Sequence, residues 1–213
     1  MSLIQRMPQT NFLSSLYKIS SNDRTILVIG LGNVGKKYEL TRHNFGFICV
    51  DMLAKGHRAK WKNDVKFSSQ IATVSIDGKK VILVKPQTFM NLSGEAVQKI
   101  KAFYKLENKD IVVIHDELDI DFGLIRTRSG GGSAGHNGLK SIIQHIGEDF
   151  GRIRAGIGPK SPEQIDSADF VLQKFSKEQR DKLDKATLAT TEIIKDFVNS
   201  EGSLPQDTRN FLI

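Results

Sequence analysis

Cysteine is almost absent: Cys49 is the only one in 213 residues. A single thiol forms no intrachain disulfide and no thiolate metal cluster. Cys49 sits in "FGFICVDML", where apolar residues recur at helical spacing, so it reads as a small buried hydrophobe and not a nucleophile. One unpaired cysteine is compatible with a reducing compartment. Long hydrophobic runs are also missing, and none approaches the ~18 apolar residues of a membrane-spanning helix. There is no His or Cys spacing suited to zinc. The first two dozen residues lack a secretory apolar core and hold few arginines for a transit peptide. With no repeat and no low-complexity linker, the simplest division is an extension over 1–24 and one folded domain over 25–213.

What is present is positive charge. Lys and Arg outnumber Asp and Glu by 31 to 24, a net charge of +7, and the isoelectric point is about 9.4. That balance favours an anionic partner, and nucleic acid is the usual candidate. A hydrophobic fraction of 39% supports a packed core.

Strand-like and helix-like segments alternate. Strands are expected at 25–30, on both sides of Asp77-Gly78, in "DIVVIHDELD", in "GLIRTRS" and in "FGRIRAGIG". Asp77-Gly78 is a strong hairpin signal. Helices are expected over 44–55, in "SGEAVQKIKAFYKL" with Ala96, Val97, Ile100, Phe103 and Leu106 on one face, and in "LKSIIQHIG". A long helix is expected after Ser176, which forms a capping-box pattern with Gln179. The expected fold class is α/β: a single domain with a twisted mixed β-sheet flanked by helices on both faces.

"GLGNVG" matches the dinucleotide fingerprint by letter, through Gly30, Gly32 and Gly35. A true fingerprint opens a helix at once and has an acid roughly 20 residues on at a strand end. Here Lys36 to Arg42 show no apolar helical face, and Asp51 lies inside a helical run. A nicotinamide-dependent oxidoreductase is therefore a remote reading. The glycines instead imply a tight turn that carries Asn33 to the carboxyl edge of the sheet.

Ligand sites in open α/β sheets lie beyond such edges. Four strand ends carry unusual residues: Asn33 and His43; Asn91; His115, Asp116, Glu117 and Asp119; His136 and Asn137. Each has a plain structural alternative, an Asn before a helix being most often a cap. The acids of "HDELDID" alternate along an extended segment, so Asp116 and Glu117 should point to opposite faces, which argues against a metal site. A histidine, a carboxylate and three amides arriving together suit hydrolysis by activated water. Around the second glycine loop, Arg126, Arg128, Lys140, Arg152 and Arg154 are candidates for phosphate contacts, with solvated surface charge as the alternative for any one of them.

At these residues the sequence resembles bacterial-type peptidyl-tRNA hydrolase. The matching blocks are "IGLGNVGKKYELTRHNFGF", "KPQTFMNLSG", "VVIHDELDIDFG" and "GGGSAGHNGLKSII", with weaker matches at "FGRIRAGIG" and "DFVLQKF". The resemblance implies hydrolysis of the ester between a peptide and the 3′-terminal ribose of tRNA. It implies His43 as base, Asp116 as its partner, and Asn33 and Asn91 as positioning amides. Asn137, Tyr38 and Met90 would bind substrate; Arg128 and Arg154 would grip the tRNA 5′-phosphate, and Lys140 would meet tRNA phosphate. It also implies a cytoplasmic, metal-free monomer with no cofactor and no membrane, whose partner is the acceptor stem and 3′ end of peptidyl-tRNA. The scaffold is similar as well to organellar intron-splicing factors, so a non-catalytic RNA-binding module is the alternative. Two departures stand out. Val34 replaces the usual proline, and Ser133-Ala134 replaces His-Gly; alanine is strained if position 134 needs φ > 0.

Overall fold

The computed structural model describes residues 24–200 and 202–213. The extension expected over 1–24 lies outside the described residues except for Arg24, whose Nε donates to Asp110 at 2.7 Å.

The chain runs β1 (Thr25–Gly30), α1 (Phe45–Gly56), β2 (Lys62–Asp64), β3 (Ser69–Ile76), β4 (Lys79–Pro86) and α2 (Ser93–Tyr104). It continues through β5 (Ile111–Asp121), β6 (Leu124–Ser129), α3 (Asn137–Ile146) and β7 (Gly151–Gly158). Last come α4 (Ser167–Leu172), α5 (Lys177–Arg180), α6 (Leu183–Asn199) and β8 (Asp207–Asn210). One eight-stranded sheet has the order β2-β3-β4-β1-β5-β7-β6-β8. β1 pairs parallel with β4 and β5, and β5 with β7; the outer pairings are antiparallel.

The sheet is mixed for a local reason. Asp77 and Gly78 both take positive φ, 49° and 78°, the primed turn whose twist matches a two-residue hairpin. β1 is central and covered on both faces, so Ile26 to Ile29 are all fully buried and the strand reads as a continuous apolar run. On one face, Ile26, Val28, Val112 and Ile114 pack with Phe45, Val50, Ile194 and Phe197 of α1 and α6. On the other, Leu27, Ile29 and Val113 pack with Val97 and Ile100 of α2 and Leu139 and Ile142 of α3.

Two helical expectations change. Ser176 and Gln179 do form a capping box, but it caps only α5. The long helix begins separately at Leu183. In α2, Phe103 is half exposed and does not complete the apolar face; the Lys66 ammonium lies 3.9 Å above its ring.

The delay between Gly30 and α1 has a packing cause. A Cβ on Gly30 would lie 2.3 Å from the Gly46 carbonyl oxygen. A Cβ on Gly46 would lie 2.3 Å from Leu31 N and 2.4 Å from Ile114 O. Strand end and helix therefore touch backbone to backbone, and α1 has to start where Gly46 meets β1. Residues 31–44 bridge the gap through two short 3₁₀ turns, Lys36–Tyr38 and Arg42–Asn44. Gly46→Ala should destabilise the protein by about 1–3 kcal/mol, the range for overpacking against atoms that cannot retreat. Gly56→Ala, where nothing lies within 4 Å, should be neutral or stabilising. Urea midpoints of the two variants check this.

Candidate functional site

The carboxyl edge of β1 and β5 carries the site. β5 places Asp116, a buried carboxylate, where two imidazoles reach one of its oxygens. His43 Nδ1 is 2.9 Å from Asp116 Oδ1, and His136 Nε2 is 3.2 Å from the same oxygen. The two rings lie 4.7 Å apart, centroid to centroid.

The protons can be placed. His136 precedes α3, and its Nδ1 accepts from the backbone N–H groups of Gly138 and Leu139. Its ring proton is therefore on Nε2 and is donated to Asp116. A carboxylate only accepts, so His43 donates through Nδ1 and leaves the Nε2 lone pair free. Burial disfavours the His43 imidazolium, but the Asp116 charge and hydrogen bond outweigh it and raise its pKa above the ordinary value. Burial likewise opposes ionisation of Asp116, but His43 and His136 hold its carboxyl well below the usual carboxylate range. His115 plays a different part. Burial, with His136 nearby, pushes it down to about 3, and its Nδ1 donates to the Asp116 carbonyl. It is a neutral structural residue.

Several supports hold His43. Arg42 N–H donates to the Gln173 carbonyl and Phe175 N–H to the Leu40 carbonyl. The Arg42 guanidinium stacks 4.2 Å above the Phe170 ring. The segment from α4 to Phe175 thus pins the stretch that enters the site. On the other side of His43, Asn44 clamps Asn33. Its Oδ1 accepts from Asn33 N–H at 2.8 Å, and its Nδ2 donates to the Asn33 carbonyl at 3.0 Å. Asn44 occupies the cap position of α1 without capping it.

The other expected residues fall as follows. Asn33, Asn91 and Asn137 side chains make no hydrogen bond to the described residues, so all three amides are uncommitted. Asn91 and Asn137 are exposed, and Asn33 is half-buried. Asn91 sits in the 3₁₀ turn Met90–Leu92. Met90 is buried with its sulfur against Gly138, beside His136, so this turn and the second glycine loop meet at one point. Tyr38 is half-buried in the first 3₁₀ turn. Lys140 is exposed on α3. Ala134 does take positive φ, 46°, so the departure there carries a local strain.

The arginines divide. Arg152 is fully buried and donates to the Gly131, Gly132 and Glu148 carbonyls. Burial and the adjacent Arg128 pull it down to about 10. It holds the loop's shape and is spent on that. Arg128 lies against Gly131, whose φ is 96°. Arg154 pairs with Glu117. The N–H groups of Gly138 and Leu139 are taken by His136, so neither is free for a phosphate.

The sequence marks His136 only as an unusual strand-end residue, and gives neither Asn44 nor Arg42 a part in the site. Their signal was adjacency to His43 and Asn137. His43, Asp116 and His136 also bring three possible metal-ligand atoms within 4.8 Å of one another. Metal binding by His136 Nε2 would require its proton, which the α3 cap fixes there. Cys49 is inert: burial pushes its thiol up to about 12.

Asp116→Asn should lower the His43 pKa, because the burial that disfavours the imidazolium remains while the opposing charge is gone. NMR titration of the His43 ring protons in both proteins measures this; an unchanged midpoint would contradict the pairing.

Comparison with known proteins gives one family. The family model for peptidyl-tRNA hydrolase matches residues 27–211. The peptidyl-tRNA hydrolase of Fusobacterium nucleatum subsp. nucleatum is 53% identical over 160 residues, 75% of this chain and 82% of the relative. That of Fervidobacterium nodosum is 47% identical over 175 residues, 82% of this chain and 90% of the relative. The crystal structure of peptidyl-tRNA hydrolase from Acinetobacter baumannii superposes with a TM-score of 0.69 at 38% identity, covering 86% of this chain and 96% of that one.

Proposed function

This chain belongs to the peptidyl-tRNA hydrolase family, and on that premise we propose how its residues cleave the ester. It is a carboxylic ester hydrolase whose substrate is peptidyl-tRNA. The observation that carries the mechanism is the two-histidine carboxylate, which leaves His43 Nε2 as an oriented, basic lone pair.

His43 Nε2 takes a proton from water, and the resulting hydroxide attacks the ester carbonyl joining the peptide to the 3′-terminal ribose. Asp116 stabilises the imidazolium without taking its proton. The uncommitted amides of Asn91 and Asn33 donate to the developing oxyanion, and neither titrates in competition with the base. Collapse of the tetrahedral adduct expels the ribose oxygen, which the His43 imidazolium protonates. Asn137 holds substrate and water, and Tyr38 and Met90 line the peptide side. Arg128 and Arg154 grip the tRNA 5′-phosphate, and Lys140 meets phosphate of the acceptor stem. No helix among the described residues is long and apolar enough to cross a membrane. The proposed setting is the cytoplasm, and the working unit is a monomer built from residues 25–213.

His43→Ala should lower turnover of an N-blocked aminoacyl-tRNA by about 10²–10⁴-fold, the loss expected for a general base. Wild-type turnover in that variant would remove His43 from the reaction. Arg128→Ala should raise KM and reduce the slope of log K against log salt by about one, as one lost phosphate contact does. Binding titrations at several salt concentrations read the slope directly.

A further inference from the structure

β3 has an edge that its own sheet does not use. Ile76 and Lys79 flank the two-residue turn and exchange hydrogen bonds across it. The alternation that follows points the backbone groups of Ala72 and Val74 at β4, and those of Thr73 and Ser75 away from it. β2 covers that outer side only at Ser69, Gln70 and Ile71, so among the described residues no strand lies beside Thr73 and Ser75. Both residues are exposed. Two N–H and two C=O groups thus form a short open edge, and β3 has no proline or bulge to blunt it.

A cavity of about 610 Å³ lies against this edge, lined by Thr73 and Ser75 and by His57, Arg58 and Ala59 past the end of α1. One residue of an added strand takes up about 160 Å³, from its rise and the spacings between strands and between sheets, so about four residues fit. The charged side chains on the lining are Arg58 and Lys80, with His57 beside them, and no carboxylate joins them. Arg58 is held there against backbone preference. Its N–H donates to the Lys55 carbonyl, and the Ala59 N–H to the Ala54 carbonyl. These two bonds close a helix around a left-handed residue, for which glycine is the usual choice. Arg58 takes that position with φ 53°.

We propose that the β3 edge is a docking site for an acidic, extended peptide segment of a partner protein, which adds as a strand beside Thr73 and Ser75. Main-chain hydrogen bonds hold such a strand, and its carboxylates meet Arg58 on one side and Lys80 on the other. Other occupants fit less well. A phosphate backbone only accepts, so it leaves the outward carbonyls unanswered. A second copy paired through the same edge brings like charges together. The chain's own residues 1–23 hold one acid, Asp23, against Arg6 and Lys18. α1 spans 12 residues, a length of about 18 Å. The groove is therefore a helix length away from His43, and an occupied edge leaves the ester site open.

The test uses the full chain and two acetylated, amidated hexapeptides, one of alternating Glu and Val, the other of alternating Lys and Val. Amide exchange is followed residue by residue by NMR, and affinity by titration. In the free chain, Thr73 and Ser75 N–H should exchange fast, and Ala72 and Val74 slowly. The Glu-Val peptide should slow Thr73 and Ser75 and leave the other two unchanged; the Lys-Val peptide should do neither. Arg58→Gly, which places the favoured residue at that φ, should keep the fold and the turnover of N-blocked aminoacyl-tRNA. It should weaken the Glu-Val peptide about two- to fivefold, the scale of one exposed ion pair. Equal binding of the two peptides, or no protection by either, overturns the proposal. So does displacement of the peptide by oligouridylate with the same protection, which would make the groove an RNA contact. Thr73 and Ser75 already slow in the free chain also overturn it: slowing that grows with protein concentration assigns the edge to a second copy, and slowing that does not assigns it to a segment of the same chain.

Discussion

A carboxylate taken out of water is expensive unless it is hydrogen-bonded and paired. Asp116 meets that requirement with two imidazole donors on a single oxygen, and three elements have to be in place for this to hold. β5 must be central so that its carboxyl end is dry. The approach to α1 must deliver His43. α3 must begin at His136 so that its first N–H groups fix that ring's tautomer. The cap and the proposed catalytic centre are thus one network. Loss of the α3 start would uncover the Asp116 oxygen and remove one of its two donors. The ionised state of Asp116 is what keeps the His43 lone pair directed outward.

β5 serves two chemistries through its pleat. Neighbouring side chains on a strand leave on opposite faces, so Asp116 turns to the histidines while Glu117 turns to the guanidinium face. Two carboxylates one residue apart are in this way kept electrostatically separate. The proposed base lies across the sheet from the arginine cluster, and Arg154 finds its counter-charge without drawing on Asp116. In the proposed mechanism, ester chemistry and phosphate contact share a strand without sharing a carboxylate.

The parts legible in the sequence were those set by short-range rules. The apolar run of β1, the primed turn at Asp77-Gly78 and the opposite directions of Asp116 and Glu117 follow from periodicity and backbone preference. The strand-end positions of Asn33, His43, Asn91, Asp116 and Asn137 follow from the alternating pattern. What stayed hidden depends on tertiary contact. Histidine is not among the favoured caps, so nothing local marks His136 as one. Asn44 has the look of a cap, and its true use as a clamp on Asn33 appears only when β1 and α1 are brought together. Arg152 and Arg154 share a strand face, and it is the register with Arg128 and the glycine loop that buries the first and leaves the second reachable. β2 and β8 are short and polar, "KND" and "DTRN", and owe their form to the strands beside them.

The glycine turn after β1 shows how a letter pattern can match while its physics differs. A nucleotide loop needs free backbone N–H groups aimed at a phosphate. Here Leu31 N–H is given to the Ile114 carbonyl and Asn33 N–H to Asn44 Oδ1. Gly30 is required by the contact with Gly46, and Gly32 by the Phe47 ring, whose nearest atom would lie 2.5 Å from an added Cβ. The turn has therefore used these two amides internally, and what it presents outward is the Asn33 side chain. The clamp that disqualifies the loop as a phosphate cradle also fixes Asn33 to the residue next to His43, and so ties the proposed oxyanion donor to the proposed base through one pair of hydrogen bonds.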